Sequence, residues 1–336
     1  MIYIENSSQN PAFNLALEEY LVTTQGRFAH EDIALLWKNQ PTVVVGRNQN
    51  AHREINRTYL DEHNIRVVRR LSGGGAVYHD QGNINFTVIK RNAHALKNNF
   101  SFFTEPLVNT LAEFGVQAEF SGRNDVLVKG AKFSGNAQYS YQDTLLHHGT
   151  ILFDSDLSVL GKVLTPKPRV EDYTTRGIMS HRSRVANLSQ FLMMDLPEFH
   201  SAFAQNLMES NGGADDYFVL DEEEVVAVSK LCDSKYATTE WTWGKSPEYD
   251  FINQARFDAG NVTVCGSFVG GFIERLDFYG DFFEVGPIEQ YSHLFEGKSM
   301  NLLKSIIDAN DVGNFIHGFS NDELLTLLTE QLDPSL

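Results

Sequence analysis

Three consecutive glycines, Gly73-Gly74-Gly75, constrain this chain more than any other feature. Before them come a strand-like run, Ile65-Arg66-Val67-Val68, then Arg69-Arg70 and Leu71-Ser72. After them come Ala76-Val77-Tyr78 and a polar turn, His79-Asp80-Gln81-Gly82-Asn83. Glycine loses the most backbone freedom on folding, so such a run is costly to order. It is expected where backbone approaches something closely or takes positive φ. Backbone N–H groups freed of side chains can cradle an anion, and two arginines can offer forked donors to phosphate or carboxylate. The spacing is not a Walker A loop, and strand-like residues follow where G-x-G-x-x-G would open a helix. The plainer alternative is a glycine-rich hairpin with solvated arginines.

A chain of 336 residues has room for two domains, and 42% apolar residues supply a packed core. The formal net charge of -17 argues against duplex nucleic acid as the main partner. Cys232 and Cys265 lie far apart and read as free thiols in a reducing cytosol. Residues Met1 to Asn6 carry neither a basic segment nor an apolar one of the signal-peptide kind, and no run of eighteen apolar residues exists. A cytoplasmic protein with no membrane span is expected.

In chain order, residues 2 to 4 read as a strand and Pro11 opens a helix whose apolar residues recur at helical spacing. Ile33 to Trp37 and Thr42 to Val45 read as strands joined by a turn at Asn39-Gln40-Pro41, followed by polar Gly46-Arg47-Asn48-Gln49-Asn50 and a helix over Arg53 to His63. Strands are expected at Ile65 to Arg70 and Asn85 to Ile89, and an amphipathic helix at Phe100 to Phe114. Val126 to Val128, Lys132 to Gln138 and Leu145 to Phe153 read as three strands with turns between them. A helix over Asp156 to Leu164 is expected to be capped by Asp154 or Ser155, and Thr165-Pro166-Lys167-Pro168 ends it. Leu196 to Ser210 reads as a helix, and Asp221-Glu222-Glu223-Glu224 as a helix N-terminus. Glycine-punctuated runs over 255 to 285 suggest a small antiparallel sheet. Two helices, Met300 to Ala309 and Asn321 to Leu332, follow. The boundary between the domains is placed near Pro247 to Asn253, giving residues 1–247 and 253–336.

The stretch 69 to 83 resembles the signature of the lipoate-protein ligase family, Arg-Arg-x-Ser-Gly-Gly-Gly-Ala-Val-(Tyr/Phe)-His-Asp-x-Gly-Asn. Further blocks are similar to that family's, in its order: Asn14 to Tyr20, Gly46 to Asn50, Gly122-Arg123-Asn124-Asp125, Lys132 to Ala137, His147-His148-Gly149-Thr150, Gly177 to Leu188 and Trp241 to Pro247. His181 stands where the family commonly has valine. The tail resembles the accessory C-terminal domain of the bacterial ligases, with Gly280-Asp281-Phe282-Phe283 its best motif. The resemblance implies an α/β (α+β) fold of the biotin/lipoate ligase kind, a mixed sheet flanked by helices with a small α+β domain after it. It also implies an enzyme that activates lipoate with ATP and Mg2+ as lipoyl-AMP. The lipoyl group would then pass to a lysine of apo-lipoyl domains, on E2 subunits of 2-oxoacid dehydrogenases or the glycine-cleavage H protein. A monomer is expected.

The residues implied to meet ATP or lipoate come from three blocks. The first supplies Arg70, Ser72, Gly73, Gly74, Gly75, Ala76, Val77, Tyr78, His79 and Asn83. The second supplies Lys132, Ser134, Gly135 and Ala137, and the third His148, Gly149 and Thr150. Lys132 matches the family's essential lysine. A lone ammonium between a carboxylate and an α-phosphate would serve as the point charge that such chemistry needs. Lys129, three residues earlier on the hairpin turn, competes, and residue chemistry alone does not separate the pair. Asp125 is the candidate for Mg2+, with an Asx turn as its structural alternative. His147 and His148 are adjacent on a strand and so face opposite sides, which leaves at most one of them for the ligand. Arg182 and Arg184 are candidates for facing the adenylate. Lipoate's alkyl chain needs an apolar slot, for which Val44, Val77, Tyr78 and the region of Phe86 are candidates. A lipoyl or octanoyl transferase of the same fold would use a cysteine nucleophile, and residues 1 to 231 contain none. A biotin ligase and a non-catalytic binding protein fit the glycine loop and the intact catalytic blocks less well.

Overall fold

The computed structural model describes residues 1–24, 26–49, 51–122, 124–164, 185–213, 216–243, 251–269 and 272–332. Asn50, Arg123, Pro166 to Pro168, His181, Arg182, Arg184 and Gly244 to Pro247, singled out above, lie outside them.

The first elements are β1 (Ile2–Ile4), α1 (Pro11–Thr23), β2 (Ile33–Trp37), β3 (Thr42–Val45), α2 (Ala51–Glu54), α3 (Arg57–Glu62), β4 (Arg66–Arg69), β5 (Val77–His79) and β6 (Asn83–Lys90). Next come α4 (Phe100–Glu113), β7 (Ala118–Ser121), β8 (Asp125–Val128), β9 (Ala131–Tyr141), β10 (Thr144–Leu152) and α5 (Leu157–Val163). Then follow α6 (Leu196–Glu209), β11 (Tyr217–Phe218), α7 (Glu222–Leu231) and α8 (Thr239–Trp243). The chain closes with β12 (Phe251–Phe257), β13 (Gly260–Val269), β14 (Phe272–Gly280), α9 (Ile288–His293), α10 (Leu303–Ala309) and α11 (Asn321–Leu332).

Local chemistry sets several of these ends. Asn10 accepts from the Ala12 N–H and Pro11 takes the first helical position, where a missing N–H costs nothing. Asp221 and Glu224 form a reciprocal capping box on α7. The cap of α5 is Asp156, not Asp154 or Ser155, because its carboxylate accepts from both Ser158 and Val159 N–H. The single helix expected over 53 to 63 is two, since the Asn56 side chain caps Tyr59 N–H and starts a new helix.

The large sheet is mixed, in the order β11-β1-β2-β6-β10-β9-β8-β7, and β4-β3-β5 make a second, small sheet. Ile33–Trp37 and Thr42–Val45, adjacent in sequence, therefore belong to different sheets. Alternation sorts the large sheet's side chains onto two faces. Ala34, Leu36, Phe86, Val88 and Ile151 pack with Phe103 and Leu107 of α4 and Phe199 and Phe203 of α6. Ile33, Leu35, Trp37 and Leu146 pack on the other side with Leu15 and Leu17 of α1 and with Val44 and Val77 of the small sheet. The C-terminal sheet β12-β13-β14 is antiparallel and carries its own core, with Tyr291, Phe295 and Leu324 among its buried residues. No helix among the described residues is long and apolar enough to cross a membrane.

Candidate active site

A cleft of about 600 Å³, partly open to solvent, lies on the α1 face of the large sheet. Its floor follows one row of paired residues across four strands, and the row continues to a fifth beyond it. Trp37 of β2 pairs with Asn85 of β6, Asn85 with Thr150 of β10, Thr150 with Gly135 of β9, and Gly135 with Asp125 of β8. Neighbouring strands lie about 4.8 Å apart, so Trp37 and Asp125 stand roughly 19 Å from each other.

Lys132 reaches this floor through an irregularity that strand alternation alone does not predict. On a regular β9, Lys132 would share a face with Ser134 and Asn136. The β8-β9 register slips between Val126 and Leu127: Val126 faces Ser134, while Leu127 faces Lys132. The extra residue, Phe133, joins the core of the opposite face. Lys132 is thereby turned onto the cleft side, a use of bulges frequent beside active sites. Its Nζ lies 2.7 Å from Asp125 Oδ1. A Cβ on Gly135 would come within 2.9 Å of that Nζ, so the glycine leaves room for the lysine. Lys129 sits on the β8-β9 turn at φ 48°, with its Nζ over the Phe191 ring.

Arg70, Gly74, Gly75, Ala76, Val77 and His79 of the first block line the cleft, as do Lys132, Gly135, Ala137, His148, Gly149 and Thr150. Five of the expected residues stand behind the wall. The bulge leaves Ser134 on the core face, where Asn136 donates to it. Tyr78 packs with Val43 and Val45 on the far side of the small sheet. Asn83 donates to Asn85 Oδ1 and fixes that residue in the row. Gly73 packs on the C-terminal region, since a Cβ there would lie 2.3 Å from Phe282 O. Ser72, 1% exposed, belongs to a buried relay. Phe86 lies in the core of the opposite face.

That relay starts at Trp37. Trp37 Nε1 donates to Thr87 Oγ1, which donates to Glu18 Oε1 at 2.6 Å. Both Glu18 oxygens face His148 Nδ1, at 2.9 and 3.1 Å, and His148 Nε2 lies 2.6 Å from Ser72 Oγ. Ser72 Oγ in turn accepts from Arg70 Nε. The order Glu18, His148, Ser72 is that of a hydrolase triad. Ser72 is nonetheless buried off the cleft, and its oxygen is already held by Arg70. The relay therefore holds the loop in place and presents His148 to the cleft.

The two arginines spend their forks on backbone. Arg70 donates to the carbonyls of Val44, Gly73 and Gly75, and Arg69 to those of Gly46, Arg47, Gln49, Trp241 and Thr242. Burial lowers the pKa of each to about 10. Gly74 takes φ +88°, the left-handed region that glycine supplies. Its N–H points at Phe282 O at 3.4 Å, and Phe283 packs with Phe100 and Ala137 at the rim. The C-terminal motif flagged in the sequence thus reaches the glycine loop.

His147 and His148 point to opposite faces. His147 stacks on Phe103 with ring centroids 4.6 Å apart, and burial first, then His148, pushes its pKa well below the usual value. Burial, helped by Arg70 and His148, lowers His79 from 6.5 to about 3. Both are neutral when folded, while an unfolded histidine takes a proton below its ordinary pKa. Stability is therefore expected to be full above pH 6.5 and to fall as pH drops toward 3. His79 alone should remove about 2 kcal/mol by pH 5. Urea unfolding at pH 7.5 and 5 checks this, and equal stabilities would contradict it.

Glu18, Asn14, Trp37 and Asn85 were not among the expected site residues. A signal existed for two: Asn14 and Glu18 are polar, four apart, on the apolar stripe of α1.

The family described as "Lipoyl protein ligase A/B catalytic domain" matches residues 10–208, and "Bacterial lipoate protein ligase C-terminus" matches residues 246–328. A curated relative, "Lipoate-protein ligase LplJ" of Bacillus subtilis, is 36% identical over 336 residues, covering 98% of this chain and 100% of its own. The chain belongs to the lipoate-protein ligase family. Among solved structures, the ligase fold recurs in P. falciparum LipL1, in complex with lipoate, at TM-score 0.80 and 24% identity over 98% of this chain and 99% of that one. A bi-partite lipoate protein ligase from Thermoplasma acidophilum, described with its E2 lipoyl domain, aligns at TM-score 0.64 and 27% identity over 74% of this chain and 98% of that one. A lipoate-protein ligase A bound with ATP aligns at TM-score 0.63 and 25% identity over 72% and 98%.

Proposed function

We propose that this ligase activates lipoate with ATP and passes the lipoyl group to a lysine of apo-lipoyl domains. The observation that carries the reading is the floor of the cleft. It has a cation, Lys132, at its polar end and an apolar slot of Leu15, Trp37, Val44 and Val77 at the other. A fatty-acid-like chain fits that slot with its carboxylate toward Lys132. The carboxylate oxygen then attacks the α-phosphorus, the bond to pyrophosphate breaks, and a mixed anhydride with AMP forms. Both reactants are anions, so a fixed ammonium between them lowers the barrier. In the second half, a lysine amine of the acceptor attacks the acyl carbon and AMP leaves.

Among the described residues no three His, Cys, Asp or Glu are placed together so as to hold a metal ion. Mg2+ on a nucleotide needs only one or two carboxylates besides phosphate oxygens and water. Asp125, a partly exposed carboxylate at the Lys132 end, fits that role and would hold the ion. When bound, the ion would offset phosphate charge. The acceptors proposed are lipoyl domains of E2 subunits and the glycine-cleavage H protein. The relative solved with an E2 lipoyl domain supports the first of these. We further place the catalytic domain in residues 1–247 and the accessory one in 253–336, with the chain acting as a cytoplasmic monomer.

The test mixes pure protein with ATP, lipoate and a panel of apo-acceptors and measures pyrophosphate release and lipoyl mass on each acceptor. No release with any acid would sink the reading. The transferase alternative needs a thiol at the cleft. Cys232 is buried beside α7 and Cys265 lies in β13, and neither lines the cleft. Burial pushes the Cys232 thiol up, away from the reactive thiolate. The double change Cys232→Ser, Cys265→Ser is expected to keep ligation, and an acyl thioester on either residue would favour the transferase.

A further inference from the structure

The wall of the cleft carries one polar group that the chemistry above does not use. His79 is 3% exposed and lines the cleft beside Trp37, with ring centroids 6.0 Å apart. It therefore stands at the end of the row remote from Lys132. Its Nε2 is buried and has no hydrogen-bond partner among the described residues.

A chain of amides that ends on backbone fixes which ring nitrogen carries the proton. Asn14 Nδ2 lies 3.1 Å from both Ser8 O and Lys38 O, carbonyls that only accept, so this atom is the nitrogen. The Asn39 atom facing it at 2.9 Å must then be the oxygen, Oδ1. That leaves Asn39 Nδ2 as the atom 3.0 Å from His79 Nδ1, which must accept. The neutral ring therefore holds its proton on Nε2. His79 lines the cleft and Asn39 does not, so the ring edge opposite Asn39, which carries the buried Nε2, is the one nearer the cleft.

The surroundings restrict what this N–H can meet. Leu15, Trp37, Val44 and Val77 around it offer apolar surface. The indole N–H of Trp37 is taken by Thr87, and the Asn85 side chain is engaged by Trp37 O and Asn83. A hydroxyl or carboxylate brought here would gain one donor and leave its remaining sites unpaired. Divalent sulfur is apolar in bulk yet a weak acceptor, so a single N–H satisfies it. A plain hydrocarbon tail would instead leave the buried N–H without a partner, which is unfavourable. Sites built around such a donor reject the analogue that lacks the acceptor.

We propose that His79 is a specificity-determining residue, whose Nε2–H selects acids bearing a divalent sulfur at their far end over all-carbon acids of the same shape. The inference rests on the ligase reading and adds to it the group that tells lipoate from a fatty acid.

The test uses lipoate and 5-cyclopentylpentanoate, which keeps the ring and chain but replaces both sulfurs by carbon. Pyrophosphate release gives kcat and KM for each acid with the wild type, His79→Phe and His79→Gln. Wild type is expected to favour lipoate in kcat/KM by about tenfold, through KM. His79→Phe should bring the ratio close to one, and His79→Gln, which keeps an N–H, should restore part of it. The wild-type comparison needs no variant to fold. A wild-type ratio within about twofold of one would overturn the proposal, and so would a preference that survives in folded His79→Phe. No pyrophosphate release from wild type with either acid would overturn the ligase reading itself, and this inference with it.

Discussion

Replacing Lys132 by alanine is expected to cut adenylate formation by about 10³-fold, the scale of losing one fixed charge-stabilising group at the reacting atoms. The fold should survive. Lys132 is partly exposed, its ammonium pairs with the similarly exposed Asp125, and such a pair contributes about 0–1 kcal/mol. The loss therefore falls on the reaction rather than on stability. Lys129→Ala is the control. Its ammonium rests over Phe191 on a turn and does not line the cleft, so most activity should remain. Pyrophosphate release measured beside thermal unfolding of the same samples separates the effects. Full release by folded Lys132→Ala would remove the assignment, and loss with Lys129→Ala would move it there.

The strands of the catalytic region were legible because β-branched and aromatic runs alternate between turns. Their faces were legible wherever alternation was regular, as at His147 and His148. Where the register slips, period-two reading fails. Phe133 is the extra residue, and it decides that Lys132 and not Ser134 meets the cleft. Nothing in Lys-Phe-Ser-Gly marks a bulge, because the slip depends on the partner strand. Pairing was also hidden: Thr42–Val45 leaves the sheet of Ile33–Trp37, and a short turn fits either outcome. Buried polar residues were harder still. Glu18 breaks the apolar stripe of α1, but its purpose is hidden until His148 and Thr87, distant in sequence, are brought beside it. The partners of the arginines were hidden for a related reason. A free guanidinium next to a glycine loop suggests an anion, but loop carbonyls are acceptors too, and bending the backbone around Arg70 brings them within reach.

Arg70→Met should reveal which acceptors matter. The side chain is 6% exposed and donates to Ser72 Oγ and to the carbonyls of Val44 on β3 and of Gly73 and Gly75 in the glycine loop. Methionine fills much of the volume and offers no donor, so those carbonyls lose their partner where water has little access. Each buried group left unpaired costs about 1–3 kcal/mol, partly recovered as the loop relaxes. A net destabilisation of about 4 kcal/mol is expected, with a loop that no longer holds Gly74 at its positive φ. Ligand binding should weaken as a consequence. Arg70→Lys should rescue little, because an ammonium lacks the planar fork that spans Ser72, Gly73 and Gly75. An arginine whose main task is to grip phosphate would behave otherwise: unfolding in urea would be unchanged, ATP affinity in calorimetry would collapse, and lysine would restore much of it. That second outcome would mean that the carbonyl contacts are incidental and that the fork turns to the nucleotide when ATP binds. The first would mean that the three glycines can form a loop at the cleft because one buried guanidinium fixes the carbonyls of Gly73 and Gly75 and so sets the loop's shape.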